Sequence, residues 1–193
     1  EILAQEARVI QPRMKEILNE KFEEEKKRLL AKFDNDPVTK ELAGGPTAIG
    51  SIAKTGRGGN LYSFLGFVDG VNPVEELRNA LEDGITKGRV TKAASRGQIL
   101  KYNLEVRIPT LSELRRKTQL LVWTTRSFID LIENGVDNFT RYIFEPDRLK
   151  RSRSGTGIQI SGDIKGRRPL RRRDYIKKMI EDFTNRLKGF NKK

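Results

Sequence analysis

Leu3, Ile10, Met14, Ile17, Leu18, Phe22, Leu29 and Phe33 recur at steps of three, four and seven, while the charged run from Glu23 to Arg28 fills the opposite side. That spacing predicts an amphipathic helix over residues 1–33. Pro12 sits inside the pattern and is predicted to kink the helix or mark a restart, because it removes one ladder hydrogen bond. A stripe this narrow on so long a helix exceeds what one small core needs. Part of the helix is therefore expected on another subunit, the alternative being that it lies along its own domain.

Downstream, Asp36 before Pro37 reads as a helix start, cut short by Gly44 and Gly45. Residues 44–59, GGPTAIGSIAKTGRGG, hold six glycines and suit turns around at most one short strand near Ala48 to Ala53. A phosphate-binding loop is excluded there, since no G-x-x-x-x-G-K-[ST] spacing occurs. Asn60 to Val68, NLYSFLGFV, reads as a buried strand in which Gly66 allows a bulge. Asn72, Pro73 and Glu75 start a helix with Val74, Leu77, Leu81 and Ile85 inward, ending near Gly84.

The basic stretch Arg89 to Arg96 is either a hairpin arm or a disordered loop. Ile99 to Ile108 alternates cleanly, with Tyr102, Leu104, Val106 and Ile108 on one side and Lys101, Asn103, Glu105 and Arg107 on the other, and predicts a strand ended by Pro109. Thr110 with Glu113 forms a capping box for a short helix. Phe128, Ile129, Leu131, Ile132, Val136, Phe139, Ile143 and Phe144 predict two helical segments broken at Gly135. A further strand is expected over Ile158 to Ile164. Asp174 is read as the cap of a terminal helix with Tyr175, Ile176, Met179, Ile180, Phe183, Leu187 and Phe190 inward.

These elements predict an α+β fold: a small antiparallel β-sheet packed with helices, and a long N-terminal helix. Residues 1–35 form a helical arm and residues 36–193 a single domain.

Charge adds a partner to this picture. The 193 residues include 39 Lys or Arg and 26 Asp or Glu, a formal net charge of +13, which implies an anionic partner or an oppositely charged neighbour. Much of the excess lies between Arg148 and Arg173, where ten cations face one acid, Asp163. The chain has no cysteine and no histidine, which removes disulfides, thiolate metal sites and nucleophile triads with a His base. No apolar run approaches the ~18 residues of a membrane span, and no signal-peptide pattern opens the chain. A soluble intracellular product is expected. The numbering begins at Glu1 rather than Met, so residues are expected before it.

Candidate chemistry is sparse. Glu133 and Asp137, four apart, offer an acid-base pair or hard-metal ligands, but Gly135 lies between them and no third acid follows at useful spacing. A solvated helix edge is the expectation, with no catalytic residue, cofactor or metal. The basic loop has two readings. Its cations would neutralise phosphates, with Tyr142, Phe144 or Tyr175 stacking on bases, or its arginines would clamp carboxylates of a neighbouring subunit. The aromatics fall at helical spacing and are assigned to the core, so the protein interface is preferred.

Four stretches in order, ELAGGPTA (Glu41 to Ala48), GNLYSFLGF (Gly59 to Phe67), VWTTRSFIDLIENGVDNF (Val122 to Phe139) and SRSGTGIQI (Ser152 to Ile160), resemble the landmarks of the neck, or tail-completion, proteins in the head-to-tail connector of tailed bacteriophages. The resemblance spans about residues 36 to 188. Trp123, Arg126, Ser127, Glu133 and Gly135 match that family's pattern, whereas Thr125 stands where Gly is expected and Phe128 where a second aromatic, often Trp, is usual. The resemblance implies a non-enzymatic virion protein that forms a homo-oligomeric ring between portal or adaptor and tail proteins. Packaged DNA would pass through its channel without sequence-specific binding, and no membrane would be involved. It would be assembled in the host cytoplasm and located in the virion neck. On that reading Arg151, Arg153, Arg167, Arg168, Arg171, Arg172 and Arg173 contact acidic surfaces of adjacent connector proteins or lie near DNA. The alternatives are a tail-terminator ring of the same assembly and a basic nucleic-acid-binding protein of ribosomal or nucleoid type.

Overall fold

The computed structural model describes residues 2–48, 60–67, 70–96, 99–118, 126–135, 142–143, 158–159 and 171–189. Helix α1 runs from Ile2 to Asn35 as one element through Pro12, without the restart allowed for above. Its two halves differ. Phe22, Leu29, Leu30 and Phe33 are buried in the core, whereas Val9 is 74% exposed and Ile10 37% exposed. Between them Met14, Ile17 and Leu18 are half-buried. Each fully buried large apolar side chain contributes roughly 1.5–3 kcal/mol, so the second half of α1 is held to the body.

Asp36 caps α2 (Pro37–Ala43), its carboxylate accepting from Val38 N at 2.8 Å, and a single 3-10 turn follows at Gly45–Thr47. The strand expected over Asn60 to Val68 is instead a helix, α3 (Leu61–Leu65). Two hydrogen bonds and a glycine cap decide it. Asn60 Oδ1 accepts from Ser63 N at 2.8 Å, Glu41 Oε1 accepts from Leu61 N at 2.6 Å, and Gly66 at φ 80° closes the helix in the left-handed conformation. Gly66 is thus a C-terminal cap, not a bulge.

Helix α4 (Pro73–Gly84) has Asn72 as N-cap and buries Val74, Leu77, Ala80 and Leu81. Strands β1 (Thr86–Arg96) and β2 (Ile99–Arg107) pair antiparallel, with Val90 opposite Leu104 and Lys92 opposite Tyr102, and an irregularity between Lys87 and Val90. The basic stretch Arg89 to Arg96 is therefore a hairpin strand. Helix α5 (Leu111–Lys117) begins with the expected reciprocal capping box of Thr110 and Glu113.

Ser127 caps α6 (Phe128–Asn134), and Gly135 ends it at φ 78°, ψ 169°, a conformation essentially confined to glycine. The second helical segment expected to reach Phe144 is corrected in part: Tyr142–Ile143 is strand β3, antiparallel to β4 (Ile158–Gln159). The remainder of that segment, Trp123 and the rest of the strand expected over Ile158 to Ile164 lie outside the described residues. Helix α7 (Ile176–Gly189) turns Ile176, Met179 and Phe183 inward.

One apolar cluster joins the second half of α1 with α2, α3, α4, α6, α7 and Leu114 of α5. The β1–β2 hairpin is packed among these helices, with partly buried Leu104 and Val106 against the cluster. The fold is α+β, with a small antiparallel sheet and a long N-terminal helix.

Candidate interaction surfaces

Three of the four stretches that carry the resemblance meet in one corner of the core. Asn60 Nδ2 donates to the carbonyls of Gly45 and Ala48 at 2.8 and 3.0 Å, and Glu41 holds the first turn of α3, so the first stretch is bonded to the second. Phe67 then packs edge-on against Phe128, their centroids 5.5 Å apart, which joins the second to the third. Of the fourth, only the backbone of Ile158–Gln159 is described, paired with Tyr142–Ile143.

The same corner positions the end of the basic segment. Glu133, expected on a solvated helix edge, is 8% exposed, and its Oε1 accepts from Lys177 N at 2.8 Å. It therefore satisfies a free amide in the first turn of α7, where a carboxylate is favoured. Asp174, the expected cap, lies beside Arg172 instead, at 3.8 Å. One residue earlier, Arg173 N donates to Ile132 O at 3.1 Å. Arg171, Arg172 and Arg173 are thus carried on an exposed segment that is tied to α6 at Arg173, just before it leads into α7. Arg151, Arg153, Arg167 and Arg168 lie outside the described residues, as does Asp137.

Tyr175 does not stack on bases. It is 1% exposed, its ring lies 6.1 Å from that of Phe33, and its hydroxyl shares a 2.6 Å hydrogen bond with Thr39 Oγ1. Burial pushes its ionisation well above the usual phenol range, with the Thr39 bond opposing that shift only in part.

A second surface lies where α1 leaves the core. Lys26 Nζ donates to Ile85 O at 2.9 Å, and Lys87 pairs with Glu23 at 2.9 Å while standing 6.0 Å over the Phe22 ring. These contacts lay the middle of α1 beside β1. Beyond them an open groove of about 520 Å³ separates the two elements, lined by Lys15 and Asn19 from the helix and by Lys87, Gly88, Arg89, Val90 and Thr91 from the strand. The hairpin contains Lys87, Arg89, Lys92, Arg96, Lys101 and Arg107 against one acid, Glu105, a formal +5. Sequence reasoning found its charge but not the groove, because residues 15–19 and 87–91 carry no signal that they adjoin.

Opposite in sign is the outer face of α4, where Glu75, Glu76, Glu82 and Asp83 are exposed around one cation, Arg78. Arg78 bonds to Asp34 and Glu82, and those bonds hold its guanidinium more firmly protonated than usual, the Asp34 bond most of all. Among the described residues no group of three or more acids is arranged to hold a metal ion, and no helix is long and apolar enough to cross a membrane. No protein family, curated protein or solved structure matches the chain.

Proposed function

We propose that this chain is a structural, non-enzymatic subunit of a tailed-bacteriophage connector: a neck, or tail-completion, protein that assembles as a ring around the DNA channel. The reading is carried by the corner in which Glu41, Asn60, Phe67 and Phe128 bring three separate stretches of the resemblance together. Residues far apart between Glu41 and Phe128 then act as one packed unit, as a shared fold requires. A half-packed helix, a basic hairpin and a helix face of opposite charge also suit a subunit whose neighbours complete it. In this reading the arginines at 171–173, with those at 151, 153, 167 and 168, contact carboxylates of the adjoining portal, adaptor or tail proteins. DNA slides past them, because a channel lined by tight phosphate contacts would arrest it.

Neck and tail-terminator rings differ in neighbours, so cross-linking within assembled particles separates them: links to an adaptor ring mean neck, links to tail tube or sheath mean terminator. The exposed Arg171 to Arg173 segment and the net charge of +13 also favour a second reading, a general nucleic-acid-binding protein. Titration of the purified chain with duplex DNA or RNA decides between the classes. Tight binding that weakens steeply between about 50 and 200 mM salt supports the second reading, and weak binding throughout supports the first.

A further inference from the structure

Side chains alternate across a strand, so a groove on one face of the β1–β2 hairpin would be lined by every second residue of β1 and by their neighbours on β2. The groove beside α1 is lined otherwise. Five consecutive residues of β1, Lys87 to Thr91, border it together with Lys15 and Asn19 of α1, and no described residue of β2 does. It therefore runs along the free edge of β1, where the backbone N–H and C=O groups that point away from β2 emerge. Among the described residues β1 pairs with β2 alone. Gly88 and Arg89 add to this edge. They stand together opposite Glu105, between Lys87 opposite Val106 and Val90 opposite Leu104, which makes a bulge whose extra residue has no ladder partner.

Such an edge takes an extended chain, which adds as a further strand and exchanges backbone hydrogen bonds with it. Other occupants use less of it. Nucleic acid would engage the cations through its phosphates, but it offers no row of N–H and C=O groups at strand spacing. A second copy's β1 would set Lys87 and Arg89 against like charges, and cations with a bulge are the devices that keep the sheet edges of identical chains apart.

Charge then selects the side chains of the partner. Lys15, Lys87 and Arg89 border the groove and no described carboxylate does. Glu105 packs against Gly88 from β2, while Glu16 and Glu23 of the helix are paired with Arg13 and Lys87. Lys15 and Arg89 remain, both exposed and without an ion pair among the described residues.

We infer that the edge of β1 binds an extended, acidic segment of a partner protein by strand addition, with Lys15 and Arg89 meeting its carboxylates. The five bordering residues span roughly 17 Å of strand, which sets the length of segment engaged. The edge belongs to the single chain, so this contact does not depend on the ring assembly proposed above.

The test is amide chemical-shift mapping and fluorescence titration of the full chain. The probes are a short peptide alternating Val and Glu, the same peptide with its internal backbone nitrogens methylated, and a short duplex DNA. The unmethylated peptide is expected to shift the amides of Lys87 to Thr91. It is also expected to bind at least ~tenfold more tightly than the methylated form, which keeps the charge but lacks the N–H donors. Lys15→Glu with Arg89→Glu, at exposed sites, is expected to weaken its binding at least ~tenfold with an unchanged circular dichroism spectrum, and to admit a peptide alternating Val and Lys instead. Equal binding of the two Val and Glu peptides would overturn the inference, because charge alone would then explain it. Shifts confined to residues outside β1, or no binding at millimolar peptide, would overturn it too. Duplex DNA that shifts the same amides where the peptide does not would overturn it and assign the groove to nucleic acid. None of these outcomes bears on the ring reading, which is decided by the protein's position on the particle.

Discussion

Glu41 and Glu133 perform the same task in different parts of the core: each is buried and offers its carboxylate to a backbone N–H at the start of a helix distant in sequence. Removing such an acceptor strands a buried donor, so Glu133→Ala is expected to cost ~1.5–3 kcal/mol in urea unfolding, with Glu133→Gln recovering part of the loss. Gly135→Ala is expected to cost ~1–3 kcal/mol, since a side chain at its backbone angles is strained. Titratable groups set the pH limits. Glu113 is held below the usual carboxylate range, chiefly by the Thr110 N–H, then by the Thr110 hydroxyl and Arg107. Its folded value is depressed, so its contribution is present above pH ~4.3 and disappears as pH falls through the lower folded value. Tyr175 is the opposite case, raised by burial. Its contribution is intact below pH ~10 and declines as pH rises beyond it. Tyr175→Phe should therefore flatten the alkaline limb of a stability profile, while leaving the Thr39 hydroxyl without its 2.6 Å partner.

Elements with a single strong period were legible before any coordinates. Helices α1, α4 and α7 and strand β2 follow directly from the spacing of their apolar residues, and the caps at Asp36, Asn72 and Thr110 mark the starts of α2, α4 and α5 correctly. Helix α3 was not legible, because a five-residue apolar run has no period of its own and its helical state depends on Glu41, twenty residues upstream. Glu133 was misread for the same reason: spacing along α6 says nothing of Lys177, which approaches from the far side of the core. Of the candidate arginines, Arg171 to Arg173 were legible as basic and exposed, but the backbone bond to Ile132 that fixes where they emerge was not. The two halves of α1 make a separable case. Among the described side chains of α1, only those from Phe22 onward are apolar and fully buried, so a chain beginning at Met14 is expected to melt within about 2 °C of the parent in differential scanning calorimetry.

Seen whole, the chain separates its charge: α4 is acidic, the hairpin and the segment ending at Arg173 are basic, and the balance over 193 residues is +13. The middle of α1 lies beside the hairpin, with an open groove between Lys15 and Asn19 on the helix and Lys87 to Thr91 on the strand. The proposed reading, a ring subunit of a phage connector, rests on the packed corner of Glu41, Asn60, Phe67 and Phe128. Electron microscopy of phage particles labelled with gold-conjugated antibody against this chain locates it. Label confined to the junction of head and tail is the expected result, and particles that carry no label, or carry it on the capsid shell or tail fibres, would contradict the account.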